Sequence, residues 1–462
     1  MANRYTNLIN SFRTSFCDVK KIYLYRAPGR VNLIGEHTDY NGLPVLPMAI
    51  NYDTVIVSSP RADNKVHIKN VNTKFEERQF EINFQIPPYP KGDWGNYCKA
   101  AFQTLQNYVA ENPPKSPFDK GGFIKGMNAL VYGNIPAGSG LSSSSALVVA
   151  FAVVINDFNQ VNLDKLSLAE LLAVGERYVG TQGGGMDQAT SLSGRKGQIL
   201  KIDFSPLRIE YIPFPGDYII VVCNSLIEAK KSAEANLSYN QRVIECRLGT
   251  AILRKFLENK YKADCNIDLL GDIKKTQFSH LLKNIDNFLN QVFVKDVFEL
   301  SEISKFLEIS EQELREKYLK LKDGSFFQVT SGKYKIKKRV RHVFSEAERV
   351  EKSRENIKNK DMEKFGRLMY ESHKSCAEDY EISCPELDQL VKIAYNNGAL
   401  GSRLTGAGFG GCSVSLVHKK RVDEFIKKVT SDYYGNYLPE NRISDYIFAA
   451  YPSEGAGKID LQ

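Results

Sequence analysis

Tryptophan occurs once, at Trp94, and the six histidines show no metal-ligand spacing. The eight cysteines (17, 98, 223, 246, 265, 376, 384 and 412) form no CxxC pair and have no histidine doublet beside them. Both observations argue against a zinc site, and the scatter of the thiols argues against a disulfide framework. No apolar run reaches bilayer length, no N-terminal apolar h-region is visible, and no internal repeat recurs. A cytosolic protein with reduced thiols is expected, with no membrane partner. The formal charge of +8 over 462 residues suits anionic ligands. It is too dilute for nucleic acid unless it gathers on one face.

What is present is an ordinary globular composition, 42% hydrophobic and 25% charged, at a length suited to two or three domains. Strand composition is found at 21–27 and 53–59, with patchy alternation at 75–84. Residues 95–111 read as a helix that stops before the Pro-rich "NPPKSP". "ALVYGNIP" reads as a strand leading to a glycine–serine segment, and the apolar run after it as a buried helix. Residues 168–180 are amphipathic, with Leu168, Leu171, Leu172 and Val179 on one face. Three prolines fall within ten residues of sheet-like sequence near 206–215, and a domain boundary is placed there. Beyond it come a buried strand at 218–225, helical sequence at 228–260, and a Lys-rich, motif-free stretch over 260–345. A helix follows at 384–398, then a glycine-rich loop running into a strand at 402–417. The order predicts an α+β protein in two halves, 1–215 and 216–462, the second carrying a helical insertion at about 250–345.

Four segments carry chemistry. "RAPGRVNLIGEHTDYNG" (26–42) fixes Arg30, Asn32, Glu36, His37, Asp39 and Asn41 in a short, turn-rich stretch. "PAGSGLSSSSALVVA" (136–150) sets Gly138, Gly140 and the hydroxyls of 142–145 at the start of a helix. Free N–H groups and the positive dipole end there make a phosphate site. No lysine follows the second glycine, so this is not a GxxxxGK[ST] loop. "GTQGGGMDQATSLSG" (180–194) places three glycines before Asp187, which taken alone reads as an ordinary helix-start aspartate. "TGAGFGG" (405–411) matches GxGxxG but leaves a helical region and enters a strand, so the dinucleotide reading fails. The basic run "KYKIKKRVRHVF" (333–344) has acidic flanks and reads as a solvated face before it reads as a nucleic-acid patch. Together the glycine loops, helix start, polar cluster and aspartate suggest a small-molecule phosphotransferase.

These segments resemble the GHMP sugar kinases, and within them the galactokinases. "PGRVNLIGEHTDYNG" is similar to the galactokinase signature, "GSGLSSSSA" to the family's phosphate motif and "SRLTGAGFGGC" to its third motif. The resemblance continues through "GTQGGGMDQ", "YNQRVIECRL" and "SCPELDQLV", and is weak over 250–345. It implies an N-terminal ribosomal-protein-S5-like β/α domain and a ferredoxin-like C-terminal domain, with the site between them. It further implies that Arg30 and Asp187 meet the anomeric hydroxyl as the catalytic pair. Glu36 and His37 would hold the C6 hydroxyl and Asp39 the C3 and C4 hydroxyls, with Gly184 and Tyr239 as further sugar contacts. For ATP it implies Gly138, Gly140, Ser142, Ser143 and Ser144, with Trp94 at the adenine and Lys230 and Lys231 near the nucleotide. Ser143 would also meet Mg²⁺. The implied reaction is ATP-dependent phosphorylation of galactose at C1, by a monomer with no macromolecular partner. An N-acetylgalactosamine kinase and a turnover-deficient galactose sensor are the alternatives. The sensors of this family are damaged in the serine loop, which is intact here.

Overall fold

The computed structural model describes residues 2–17, 19–112, 123–180, 183–228, 233–320, 326–327 and 332–460. Most of the expected Pro-rich loop after residue 112 lies outside them, as do Lys230 and Lys231.

The first half is built on a six-stranded sheet in the order Gly457–Ile459, Tyr23–Asn32, Pro47–Pro60, Met127–Gly133, Lys65–Asn70, Arg78–Glu81. All pairings are antiparallel except that of Lys65–Asn70 with Met127–Gly133. Alternation along the strands buries both faces of its middle. Leu24, Val55, Val57 and Leu130 face Leu8 and Phe12 of the N-terminal helix Ala2–Ser15 and Phe16 just after it. Tyr25, Ala27, Ile56, Ala129 and Val131 share a core with the helices Gly95–Glu111, Ser143–Phe158, Lys165–Gly175 and Met186–Ser193. The first strand runs further than the expected 21–27, through Arg30 to Asn32. Proline and glycine at 28 and 29 suggest a break, yet they sit in a register shift between Pro28 and Arg30. A residue without an N–H is tolerated at such a bulge.

The second half carries an antiparallel sheet in the order Gly401–Thr405, Cys412–His418, Tyr218–Asn224, Ile447–Ala450. Ile219, Val221, Cys223 and Val417 face the helices Pro385–Asn396 and Val422–Asp432. Ile220, Val222, Val414 and Leu416 join Val31, Leu33 and Ile50 of the first half, so the halves share one core. The third glycine motif therefore joins two strands; Gly401–Thr405 is a strand where the glycine-rich sequence suggested loop.

The stretch expected as an insertion, about 250–345, includes the end of the helix Ala233–Tyr261. Its Leu253, Leu257, Phe288, Ile303, Val340 and Val343 share a core with Leu43 of the first half and with Leu387 and Leu404. The basic run lies mainly on the helix Ile336–Lys358, and the expected solvated face is half core. Arg339 and His342 are fully buried. Arg339 Nε donates to the buried Glu245 at 2.7 Å and Nη2 to Glu381 at 2.9 Å. Lys335 pairs with Glu381 at 2.7 Å, Lys337 with Asp296 at 3.6 Å and Arg341 with Asp286 at 3.0 Å. Cations spent inside the chain in this way form no nucleic-acid surface. Breaking the enclosed pair strands a charge, so Arg339→Met should cost about 3–5 kcal/mol. Arg339→Met with Glu245→Met should recover most of that loss. Urea unfolding of both variants checks this, and equal destabilisation of the two would contradict it.

Candidate active site

Three local structures meet at the end of the first strand. Arg30 extends from that strand, and its N–H donates to the Leu141 carbonyl at 3.2 Å in the serine loop. Its Nη1 donates to the Gly140 carbonyl, while Nε and Nη2 reach Asp187 Oδ1 at 2.8 and 2.7 Å. Arg30 is buried, whereas the Asp187 side chain is 26% exposed. Asp187 stands in the first turn of Met186–Ser193, behind a Gly185 N-cap at φ 100°. Its second oxygen lies 3.4 Å from Ser145 Oγ, which donates to Glu176 at 2.6 Å. Glu176 drew no attention in the sequence, where it reads as one more acid in an amphipathic stretch. With Asp187 it brackets a hydroxyl at the helix start, a donor set of oxygens that suits Mg²⁺ riding on a nucleotide.

The glycines permit backbone-to-backbone packing. Gly140 at φ 78° and Gly406 at φ 87° lie against one another. A Cβ on Gly140 would stand 2.6 Å from the Thr405 carbonyl oxygen, and one on Gly406 the same distance from that of Gly140. Gly184 presses on the signature segment, where a Cβ would fall 2.4 Å from the Tyr40 nitrogen. Its own N–H donates to Asp39 at 3.1 Å.

At the helix start, Ser142 is the N-cap residue of Ser143–Phe158 yet makes no side-chain capping bond, and its φ is 60°. Its buried Oγ has no partner among the described residues. The first-turn N–H groups have no intrahelical acceptors, which leaves an anion cradle beside Asp187. Ser143 and Ser144 lie half-buried in this turn. Gly138 turns the loop at φ 65°. Trp94 precedes the helix Gly95–Glu111, with its indole N–H on the Glu76 carbonyl at 3.1 Å and its ring 5.8 Å from Phe75. No described contact joins Trp94 to the serine loop.

Glu36, His37 and Asp39 are adjacent in space but differ in environment. Glu36 is enclosed: Oε2 accepts from Arg403 Nη1 at 2.5 Å and Asn32 Nδ2 at 3.2 Å, and Oε1 from the Gly406 N–H at 2.9 Å. His37 lies 2.8 Å from the Tyr40 hydroxyl through Nδ1 and 3.2 Å from the Ala407 carbonyl through Nε2. Burial lowers its pKa to about 3, so the ring is neutral. The Tyr239 ring centroid is 5.4 Å from His37 and 6.0 Å from Tyr40. Burial, with the Asp187 and Glu36 charges, pushes Asp39 up to about 6 against the lowering effect of the Tyr40 and Gly184 N–H groups. A cavity of about 740 Å³ adjoins Asp39, Tyr40 and Gly183–185 and is walled opposite by Val243, Arg247 and Thr250.

A supporting layer escaped the sequence reading. Glu346 Oε1 accepts the N–H groups of Gly35 at 2.9 Å and Glu36 at 3.3 Å and the Ser372 hydroxyl at 2.5 Å. Burial raises the Glu346 pKa, but Arg349 and Arg403 outweigh it and hold the carboxyl well below its ordinary value. Arg403 lies within the quoted third motif; Glu346, Ser372 and Tyr380 carry no local signal.

Residues 10–60 match the galactokinase galactose-binding signature, 96–195 the GHMP kinases N terminal domain and 353–435 the GHMP kinases C terminal. The galactokinase of Dictyostelium discoideum is 35% identical, over 98% of this chain and 93% of its own. That of Saccharomyces cerevisiae is 31% identical over 100% and 96%. Among solved structures, Lactococcus lactis galactokinase complexed with galactose superposes with a TM-score of 0.76 at 27% identity, over 98% of this chain and 100% of the other. Methanococcus jannaschii mevalonate kinase, at 18% identity and a TM-score of 0.53, shares the fold. With 35% identity held over nearly the full length and three matching segments in order, the chain belongs to the galactokinase family of the GHMP kinases.

Proposed function

We propose that this chain transfers the γ-phosphate of ATP to the anomeric hydroxyl of D-galactose, giving α-D-galactose 1-phosphate and ADP. The observation that carries the reading is the Arg30–Asp187 pair standing beside an uncapped helix start with a partnerless serine hydroxyl. Phosphoryl transfer needs positioning and charge stabilisation more than covalent chemistry. The N–H groups at the start of Ser143–Phe158 and the hydroxyls of Ser142, Ser143 and Ser144 hold the phosphates, with Gly138 and Gly140 shaping the loop. Trp94 is assigned to the adenine and Lys230 and Lys231 to the nucleotide by resemblance alone. Glu176 and the serine hydroxyls, Ser143 among them, would hold Mg²⁺, which supplies charge neutralisation on the phosphates.

Asp187 presents Oδ2 to the sugar and takes or orients the C1 hydroxyl proton. Arg30, engaged on Oδ1, orients the carboxylate and faces the transferring charge. Asp39 accepts the C3 and C4 hydroxyls, Glu36 and His37 form the C6 end, and Gly184 and Tyr239 complete the sugar pocket. The nucleic-acid reading loses its support because the basic run is paired within the chain.

Galactose-dependent release of ADP from ATP tests the reaction; no release from folded protein in the presence of Mg²⁺ would refute it. Asp187→Asn should lower kcat by about 10²–10⁴-fold, the usual worth of a general base, with ATP binding retained. Near-parental turnover would remove Asp187 from its role. Asp39 gives a pH signature. Its pKa of about 6 lies above the ordinary 3.8, so at neutral pH the ionised carboxylate opposes folding. Protonation relieves that cost as pH falls through about 6, but it also turns one of the oxygens that would accept from galactose into a donor. The KM for galactose should therefore rise below that pH. Asp39→Asn at neutral pH should raise the Tm of the sugar-free protein while weakening galactose binding. A lower Tm with unchanged galactose KM would contradict the assignment.

A further inference from the structure

Both polar atoms of the His37 ring are already committed to the protein. A carbonyl oxygen can only accept, so the contact with Ala407 requires the proton on Nε2. Nδ1 is then an acceptor, and the Tyr40 hydroxyl 2.8 Å away must donate to it. Having given its proton to His37, Tyr40 accepts from the Tyr380 hydroxyl at 2.7 Å. Tyr380 accepts in turn from the Cys246 thiol at 3.2 Å. One carbonyl thus sets the direction of a chain running from Cys246 of the Ala233–Tyr261 helix to the third glycine motif. Glu36 beside it is likewise satisfied by Arg403, Asn32 and the Gly406 N–H. The unpaired acceptor of this cluster, Asn32 Oδ1, belongs to a residue with no exposed surface.

We infer that Tyr40 and Tyr380 are positioning residues that satisfy His37 before substrate arrives, and that the enzyme consequently accepts galactose lacking its C6 hydroxyl. This rests on the placement of Glu36 and His37 at C6 proposed above. A site rejects an analogue strongly when the missing hydroxyl leaves a buried group of the protein unpaired. Here the acceptors and donors at C6 have protein partners without ligand, so the loss of the hydroxyl strands nothing. Asp39 differs: it borders the cavity beside Gly183–185, and burial with the Asp187 and Glu36 charges raises its pKa despite the Tyr40 and Gly184 N–H donors. Discrimination is thereby concentrated at C3 and C4.

The test is ADP release from ATP with D-galactose, 6-deoxy-D-galactose and D-glucose. The 6-deoxy sugar should stay within about tenfold of galactose in kcat/KM, with glucose lower by more than about a hundredfold. Galactose turnover with a loss of about a hundredfold or more for the 6-deoxy sugar overturns the inference and leaves the proposed function standing. Turnover of neither galactose nor its 6-deoxy analogue overturns both. Tyr40→Phe separates positioning from bulk stability. Leaving Nδ1 without its donor should raise the galactose KM about tenfold and leave the ATP KM within about twofold. If both KM values rise together with a falling Tm, or neither moves, Tyr40 does not position the sugar site. Should that variant not fold, the imidazole ¹⁵N shifts of the parent protein decide: Nε2 protonated and Nδ1 bare supports the chain, and the reverse tautomer refutes it.

Discussion

The geometry of the signature segment depends on one enclosed charge. Arg403 has no exposed surface and lies on the strand Gly401–Thr405, where its guanidinium reaches Glu36 at 2.5 Å, the Asn32 carbonyl at 3.1 Å and Ser372 at 3.0 Å. Glu346 stands 3.9 Å away and takes the Gly35 and Glu36 N–H groups itself. A buried ion pair recovers its desolvation cost only with excellent geometry and further hydrogen bonds. Arg403 draws its partners from the signature segment and from the helices Ile336–Lys358 and Met362–Glu378. The charge cannot settle unless the signature turn, the third motif and the helices carrying Glu346 and Ser372 are all in place. That makes it a device for specifying one arrangement as much as a source of stability.

The serine loop is organised by a different constraint, the absence of side chains. Gly140 and Gly406 touch backbone to backbone, so the serine loop and the loop beside Glu36 cannot shift independently. Arg30 ties the serine loop to Asp187 within the first half, bonding to Gly140 and Asp187 at once. The second half reaches this arrangement through Thr405 and Gly406, which pack on Gly140. The core shared by Val31, Ile50, Val222, Val414 and Phe365 supplies the non-directional part of that packing, and the glycine contacts and Arg403 supply its register.

This division explains what could be read in the sequence. Arg30, Asp187, the serine run and the glycines could be singled out as candidates because they fall in short segments of unusual composition, and their proposed roles came with the resemblance. Glu346 was not, since an acid in "SEAERVE" looks like any solvated helix residue until the fold aims it at Gly35. Tyr380, Cys246 and Glu176 act through partners more than thirty residues away, which no local pattern records. Element boundaries failed where one residue type had two meanings. Pro28 marks a bulge inside a strand rather than its end, and the glycines after Thr405 hid the strand before them. In the run 333–344 the helical period of Arg339, Val340 and Val343 marks a buried face that counting charge alone obscures.

Satisfied and unsatisfied polar groups then divide the site by task. Where the protein supplies every partner, as at Glu36 and His37, the side chains are held rigid and have little left to give a ligand. Elsewhere the fold carries a standing cost: burial raises the Asp39 pKa despite two N–H donors, Ser142 Oγ has no partner among the described residues, and Asp187 Oδ2 has a long 3.4 Å contact with Ser145. Ligand groups that relieve such a cost gain binding energy that an epimer or a truncated analogue cannot claim. The protein groups that carry it are Asp39, the start of the helix Ser143–Phe158 and Asp187. In the proposed function these meet the C3 and C4 hydroxyls, the phosphates and the C1 proton, the parts of the reaction that must distinguish one hydroxyl from another.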